Sequence, residues 1–188
     1  MNKKKILLLL FILVALAQLF VPAKMILDRE DVLATGKEYK FNVEPVDPSD
    51  PFRGKYITLR FKDTRFNNQT DQKWTRGETA FVFFKLDANG FAIIDSVSRE
   101  KPLNTTDYLK TKIRYNNKVK FLFDRFYMEE SKAYKAEMLY KESRRDTSKV
   151  TYALVNIKNG KAVLKNVLIN GVSIKELVEK QQEIEFQK

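Results

Sequence analysis

The stretch "KVTYALVNIKNGKAVLKNVLING", Lys149 to Gly171, consists of two alternating runs hinged at Asn159-Gly160. Asn and Gly both accept positive φ, as the central positions of a tight type I′ turn require, so the dipeptide between alternating runs predicts a β-hairpin. Asn170-Gly171 marks a further turn. Directly after it, "SIKE", Ser173 to Glu176, has the spacing of a capping box and starts a short terminal helix through Leu177 and Val178.

The same signals recur toward the N-terminus. "ETAFVFFKLDANGFAIIDSVSRE" holds apolar runs at Ala80 to Leu86 and Phe91 to Val97, separated by Asp87-Ala88-Asn89-Gly90, a second hairpin. "DYLKTKIRYNNKVKFLFDRFYM" gives two strands around Asn116-Asn117, the second with Val119, Phe121 and Phe123 on one side. Ile57, Leu59 and Phe61 alternate in "KYITLRFKD", and Tyr39, Phe41 and Val43 alternate with Lys40 and Asn42 after a helical stretch that reaches about Ala34 and stops at Gly36. One segment departs from period two. In "EESKAYKAEMLYKESRR", Glu129 to Arg145, strong helix formers dominate, and Ala133, Ala136, Leu139 and Tyr140 recur at helical spacing. The expected fold is therefore α+β: an N-terminal transmembrane helix, then a mainly antiparallel β domain of about seven or eight strands with one substantial helix and a short C-terminal helix. The pattern leaves open whether the sheet opens, sandwiches or closes.

The N-terminus, "MNKKKILLLLFILVALAQLFVPAKMILDRE", begins with Lys3 to Lys5 and has Gln18 as the only strongly polar residue from Ile6 to Val21. The apolar character resumes at Met25, Ile26 and Leu27, so Ile6 to Leu27 as a helix spans about 33 Å against a hydrocarbon layer of about 30 Å. Lys24 can snorkel and Pro22 can kink the helix. The alternative is a signal peptide cleaved after Ala17, where "ALA" supplies small residues. Cleavage there would leave Leu19 to Leu27 as an apolar new terminus, which favours the uncleaved anchor. In either case the lysines hold the start in the cytoplasm and the remainder is delivered outside. The expected organisation is cytoplasmic lysines, signal anchor and helical exit over 1–35, and a single extracytoplasmic β-rich domain over 36–188, on the cytoplasmic membrane.

Composition narrows the chemistry. The chain has neither Cys nor His, which excludes disulfides, thiolate nucleophiles, Ser-His-Asp hydrolysis and the common zinc hydrolase sites. The net charge is +11; setting aside Lys3, Lys4, Lys5 and Lys24 leaves 31 basic against 24 acidic residues, a net of +7. That excess suits an anionic membrane surface, or simply a solvated lysine-rich exterior. Export removes nucleic acid as an expected partner, and no motif calls for a cofactor or metal.

The densest stretch is "VEPVDPSDPFRGKYITLRF", Val43 to Phe61. In it "GKYITLRF" places Gly54, Tyr56, Leu59 and Phe61 at the positions of a known signature, with Lys55 where that signature has Asp. Together with "MILDREDVLATGKEYKF", "PVDPSDPFRGKY", "DRFYMEE" and "NGKAVLKNVLINGV", this makes the chain resemble the GDYXXLXY family of bacterial membrane-anchored proteins over essentially its full length. The resemblance implies an uncleaved anchor and an extracytoplasmic protein associated with multi-pass membrane proteins. It brings no catalytic residue, and Lys55 argues against acid chemistry at that position.

Candidate site residues follow from the same stretch and from the strand-to-helix junction downstream. Asp47, Asp50 and Arg53 lie close in sequence, beside Lys55 and Tyr56. Asp-Pro steps fix extended backbone, Asp caps turns and Arg53 can bond either carboxylate, so a self-braced loop competes with a binding rim and with acid–base chemistry. Around "FYM", Arg125, Glu129 and Glu130 complete the candidate binding surface, although acidic residues in a first helical turn also serve the helix dipole. Pairing of Ser49 with a lysine, as in Ser-Lys hydrolases, has no particular lysine to support it. The expected role is an accessory or interaction subunit of a bacterial envelope membrane-protein complex without catalysis of its own. The alternative is an envelope hydrolase or small-ligand or lipid-binding protein built on Asp47, Asp50, Arg53 and Lys55.

Overall fold

The computed structural model describes residues 3–45, 56–67, 73–145 and 149–186. Helix α1 runs unbroken from Lys3–Thr35 through Pro22, and among its residues only Val32 is buried. Its large apolar side chains from Ile6 to Leu27 stand exposed, so the helix projects from the rest of the molecule. It ends at Thr35, where Gly36 N–H closes on Val32 O at 2.9 Å, with Gly36 as the expected stop. A Cβ on Gly36 would lie 2.4 Å from Val32 O and 3.1 Å from Ile157 O, so only glycine allows the chain to turn this tightly onto the sheet.

The strands are β1 (Lys37–Pro45), β2 (Tyr56–Phe61), β3 (Thr79–Leu86), β4 (Ala92–Ser98), β5 (Leu109–Arg114), β6 (Lys118–Val119), β7 (Arg125–Tyr127), β8 (Thr151–Lys158), β9 (Lys161–Ile169) and β10 (Val172–Ser173). Helix α2 spans Glu130–Arg145 and α3 spans Ile174–Phe186. All strand pairs are antiparallel, in a six-stranded sheet of order β10-β9-β8-β1-β2-β7 and a four-stranded sheet of order β4-β3-β5-β6. The α+β architecture is as expected, and the question of sheet closure resolves into two curled sheets sharing one core.

The hairpin signals hold in detail. Asn159 and Gly160 have φ of 50° and 80°, Asn170 and Gly171 have 51° and 82°, and Asn116 and Asn117 have 57° and 50°. In the Asp87–Gly90 turn only Gly90 has positive φ, and the Asp87 carboxylate braces the loop by accepting from Asn89 N–H and Phe91 N–H.

Three differences from the expectation have physical causes. Ten strands appear among the described residues because β6, β7 and β10 are short bridges that single-sequence periodicity does not separate. The strand expected through Phe123 stops at Val119. Lys120 N–H still bonds Lys112 O, but by Asp124 the chain has crossed to the other sheet, where Leu59 N–H donates to Asp124 O at 2.8 Å. Phe121 and Phe123 lie in this crossing, stacked 5.0 Å apart and packed on Phe41 and Phe61. Finally, α3 runs well past Val178. Ser173 Oγ accepts from Lys175 N–H at 3.3 Å as its cap, Ile174 and Val178 bury one face, and Glu179 meets Lys132 of α2 at 2.8 Å.

The core alternates as the strands demand. Tyr39, Phe41 and Val43 of β1, Ile57, Leu59 and Phe61 of β2, and Ala153, Val155 and Ile157 of β8 are all buried. Polar contacts also bind the two sheets. The Tyr39 hydroxyl donates to the Asp107 carboxylate at 2.7 to 2.8 Å, Lys37 Nζ donates to it at 2.7 Å, and Gly160 of the β8–β9 turn exchanges backbone bonds with Tyr108 and Lys110.

Candidate functional site

Four of the eight residues singled out from the sequence, Asp47, Asp50, Arg53 and Lys55, lie outside the described residues, as does the side chain of Glu130. Tyr56 and Arg125 are brought together. β2 and β7 pair with Tyr56 opposite Tyr127 and Thr58 opposite Arg125. The two tyrosine rings are 5.4 Å apart, and the Arg125 guanidinium lies 4.9 Å from the Tyr56 ring centre. Hydrogen bonding with the Tyr127 hydroxyl, and then the neighbouring Tyr56, hold Arg125 more basic than its ordinary value. The result is an exposed cation–aromatic patch at the sheet edge. Glu129 is engaged differently: its carboxylate is 3.7 Å from Lys132, which makes its shorter contact with Glu179.

The signature residues divide between two roles. Leu59 and Phe61 are buried, whereas Tyr56 is half-buried in the Arg125 patch. The spacing of Tyr56, Leu59 and Phe61 is therefore that of a strand that plants its end in the core and offers its beginning at the surface.

The second element of the site is the exit of α1. Asp28 pairs with Lys161 at 2.6 Å and Asp31 with Lys158 at 2.7 Å; Lys158 Nζ also donates to Thr35 Oγ1 at 2.6 Å. Asn156 Nδ2 donates to Leu33 O at 2.9 Å, satisfying a carbonyl that the helix end leaves free. The hydrogen bond from Lys158, and then that from Thr35, keep the Asp31 carboxyl below its ordinary pKa. Lysines facing each other across the β8–β9 turn thus grip carboxylates spaced about one helical turn apart.

Beside this grip runs a groove between β9 and the Lys120–Tyr127 segment. It comprises two adjoining cavities of about 340 and about 520 Å³, which share Arg29, Leu122, Phe123, Ala162 and Val163. The inner one is walled by Met25 and Val32 of α1 and by Leu122, which is 67% exposed. The outer one reaches Lys120, Arg125, Lys165 and Lys175. Sequence reasoning passed over Arg29, Lys120, Leu122, Lys165 and Lys175. The one available signal was Leu122: placing Phe121 and Phe123 inward leaves an apolar residue pointing out. Among the described residues, no three carboxylates converge in a way that could hold a metal ion.

The GDYXXLXY protein family model matches residues 18–167, covering the exit of α1, the signature strand, the sheet crossing and the β8–β9 hairpin. The chain belongs to the GDYXXLXY family. No curated protein and no solved structure matches it. For this GDYXXLXY protein the match takes in both walls of the groove and the Tyr56–Arg125 patch.

Proposed function

We propose that this protein is a membrane-anchored accessory subunit, which holds a rigid β-rich module against a multi-pass membrane protein of the bacterial envelope and does no chemistry of its own. The observation that carries the reading is the combination of a projecting apolar helix with a gripped exit. α1 is long and apolar enough to cross a membrane, and each large side chain it exposes gains roughly 1.5–3 kcal/mol on leaving water. Its last turns are fastened to β8 and β9, so the anchor fixes the height and orientation of the module. The N-terminal lysines favour a cytoplasmic start, with the β-rich part on the extracytoplasmic side. The interaction surface in this reading is the Tyr56–Arg125–Tyr127 patch with the neighbouring Glu129 junction. Aromatic residues and arginine are the types that anchor interfaces most effectively.

Purification of the full chain in mild detergent tests this. A stoichiometric multi-pass partner should co-purify, and Arg125→Glu should weaken its retention without changing the folded content of the subunit. A clean monomer under the same mild conditions overturns the proposal.

A further inference from the structure

The groove beside α1 changes character along its length in a way that matches one class of molecule. Its inner end opens where the apolar run of α1 finishes. Met25, 59% exposed, and Leu122 face this end, and Asp28 and Arg29 follow Leu27 directly. A helix that buries Ile6 to Leu27 in hydrocarbon places these residues at the boundary between acyl chains and headgroups. The outer end carries Arg29, Lys120, Arg125 and Lys175 around the carboxylate of Asp124, with Lys165 also in its lining but paired with Glu38 at 2.6 Å. A largely apolar slot at that boundary, whose charged lining includes the Asp28–Lys161 pair and Lys110, continues into a cationic trough on the headgroup side and is complementary to an amphiphile with a negative head. Zwitterionic lipids offer the same chains, but their cationic groups meet the positive side chains of Arg29, Lys120, Arg125 and Lys175.

We propose that this groove seats one anionic phospholipid of the membrane that holds the anchor, with an acyl chain along Met25 and Leu122 and the phosphate among the lysines of the outer end. The proposal rests on the membrane-anchored reading. It gives the +7 excess of the exported part a specific location rather than a diffuse one. It also accounts for an exposed leucine between two buried phenylalanines, since Leu122 then has an apolar neighbour outside the protein.

The test uses the full chain in mild detergent, delipidated and then offered phosphatidylglycerol or phosphatidylcholine of identical chains, with bound lipid counted by native mass spectrometry. One phosphatidylglycerol should be retained in preference to phosphatidylcholine. The Lys120→Ala/Lys175→Ala variant, which changes two exposed side chains, should lose roughly thirtyfold in that retention, the effect expected for removing two juxtamembrane cations. Leu122→Glu should lower retention of both lipids, and water-soluble glycerol phosphate should not compete, because the slot selects the chain as well as the head. Equal retention of the two lipids, unchanged preference in the double variant, or full competition by glycerol phosphate overturns the lipid seat. Carbonate washing of membranes separates this failure from that of the anchored reading: a washed pellet that keeps the chain but shows no lipid preference sinks only the seat, whereas release into the supernatant sinks both.

Discussion

The two sheets meet through Phe41, whose ring centre lies 5.2 to 5.8 Å from those of Phe61, Phe84, Phe121 and Phe123. α1 meets the same body through the buried Val32 and through two ion pairs that stay open to water, with Asp31 at 56% and Lys161 at 54% exposed. The first join draws on dispersion and burial, which salt does not screen. The second draws on Coulomb attraction in a high dielectric, where each pair contributes about 0–1 kcal/mol and salt weakens it. The difference teaches that the two joins are held by different means: the body is set by packing, and the attachment of the helix by charge together with the buried Val32, the Asn156 bond to Leu33 O and the tight turn at Gly36.

Substitutions can break that contrast. The largest effect is expected at Phe41, where Phe41→Ala should cost about 3–5 kcal/mol, seen as an early denaturant midpoint for the full chain in detergent. A loss under 1 kcal/mol would mean that the aromatic cluster does not join the sheets.

Next comes alkaline pH. Burial, with the hydrogen bond to Asp107 second, pushes the Tyr39 hydroxyl up to about 12. A raised folded-state value means that its contribution is complete below the ordinary value of about 10 and is lost as pH climbs from there through about 12. Stability measured against pH should fall over that window, and Tyr39→Phe should flatten the fall while removing roughly 1 kcal/mol at neutral pH. An unchanged slope in the variant would show that Tyr39 is not the titrating group.

The smallest effect belongs to the helix grip. Asp31→Asn and Lys158→Ala should show only a small coupling in a double-mutant cycle, shrinking further in high salt. The Asp31 carboxyl is held below its ordinary value, so its contribution persists at all pH above that value and disappears only as pH falls through the lowered one. A coupling as large as the loss at Phe41 would erase the distinction between the two joins.

Much of the fold was legible because turn chemistry is local. Asn159-Gly160, Asn170-Gly171 and Asn116-Asn117 adopt positive φ wherever the flanking residues alternate, and α2 announces itself by composition. The crossing at Lys120–Asp124 was not legible. "KFLFD" alternates like any strand, and the change of sheet is decided by Leu59 N–H reaching Asp124 O from far along the chain. The candidate site divides the same way. Tyr56 and Arg125 could be nominated separately from their segments, but nothing short of the β2–β7 register brings them together. Arg29, Lys120, Lys165 and Lys175 are ordinary members of a chain with 35 basic residues, and only the approach of β9 to the crossing segment gathers them into one trough.

The continuity of α1 into its grip has one more consequence. Each residue of a helix advances about 1.5 Å and turns about 100°, so carboxylates locked at positions 28 and 31 set the rotational phase of every side chain back to Ile6. Inserting a single alanine between Lys24 and Asp28 would barely change the height of the module, yet it would swing the face that Leu13 and Phe20 present by more than a quarter of a circle. In the membrane-anchored reading, the face that α1 offers to a neighbour and the direction in which the groove opens are a single mechanical setting.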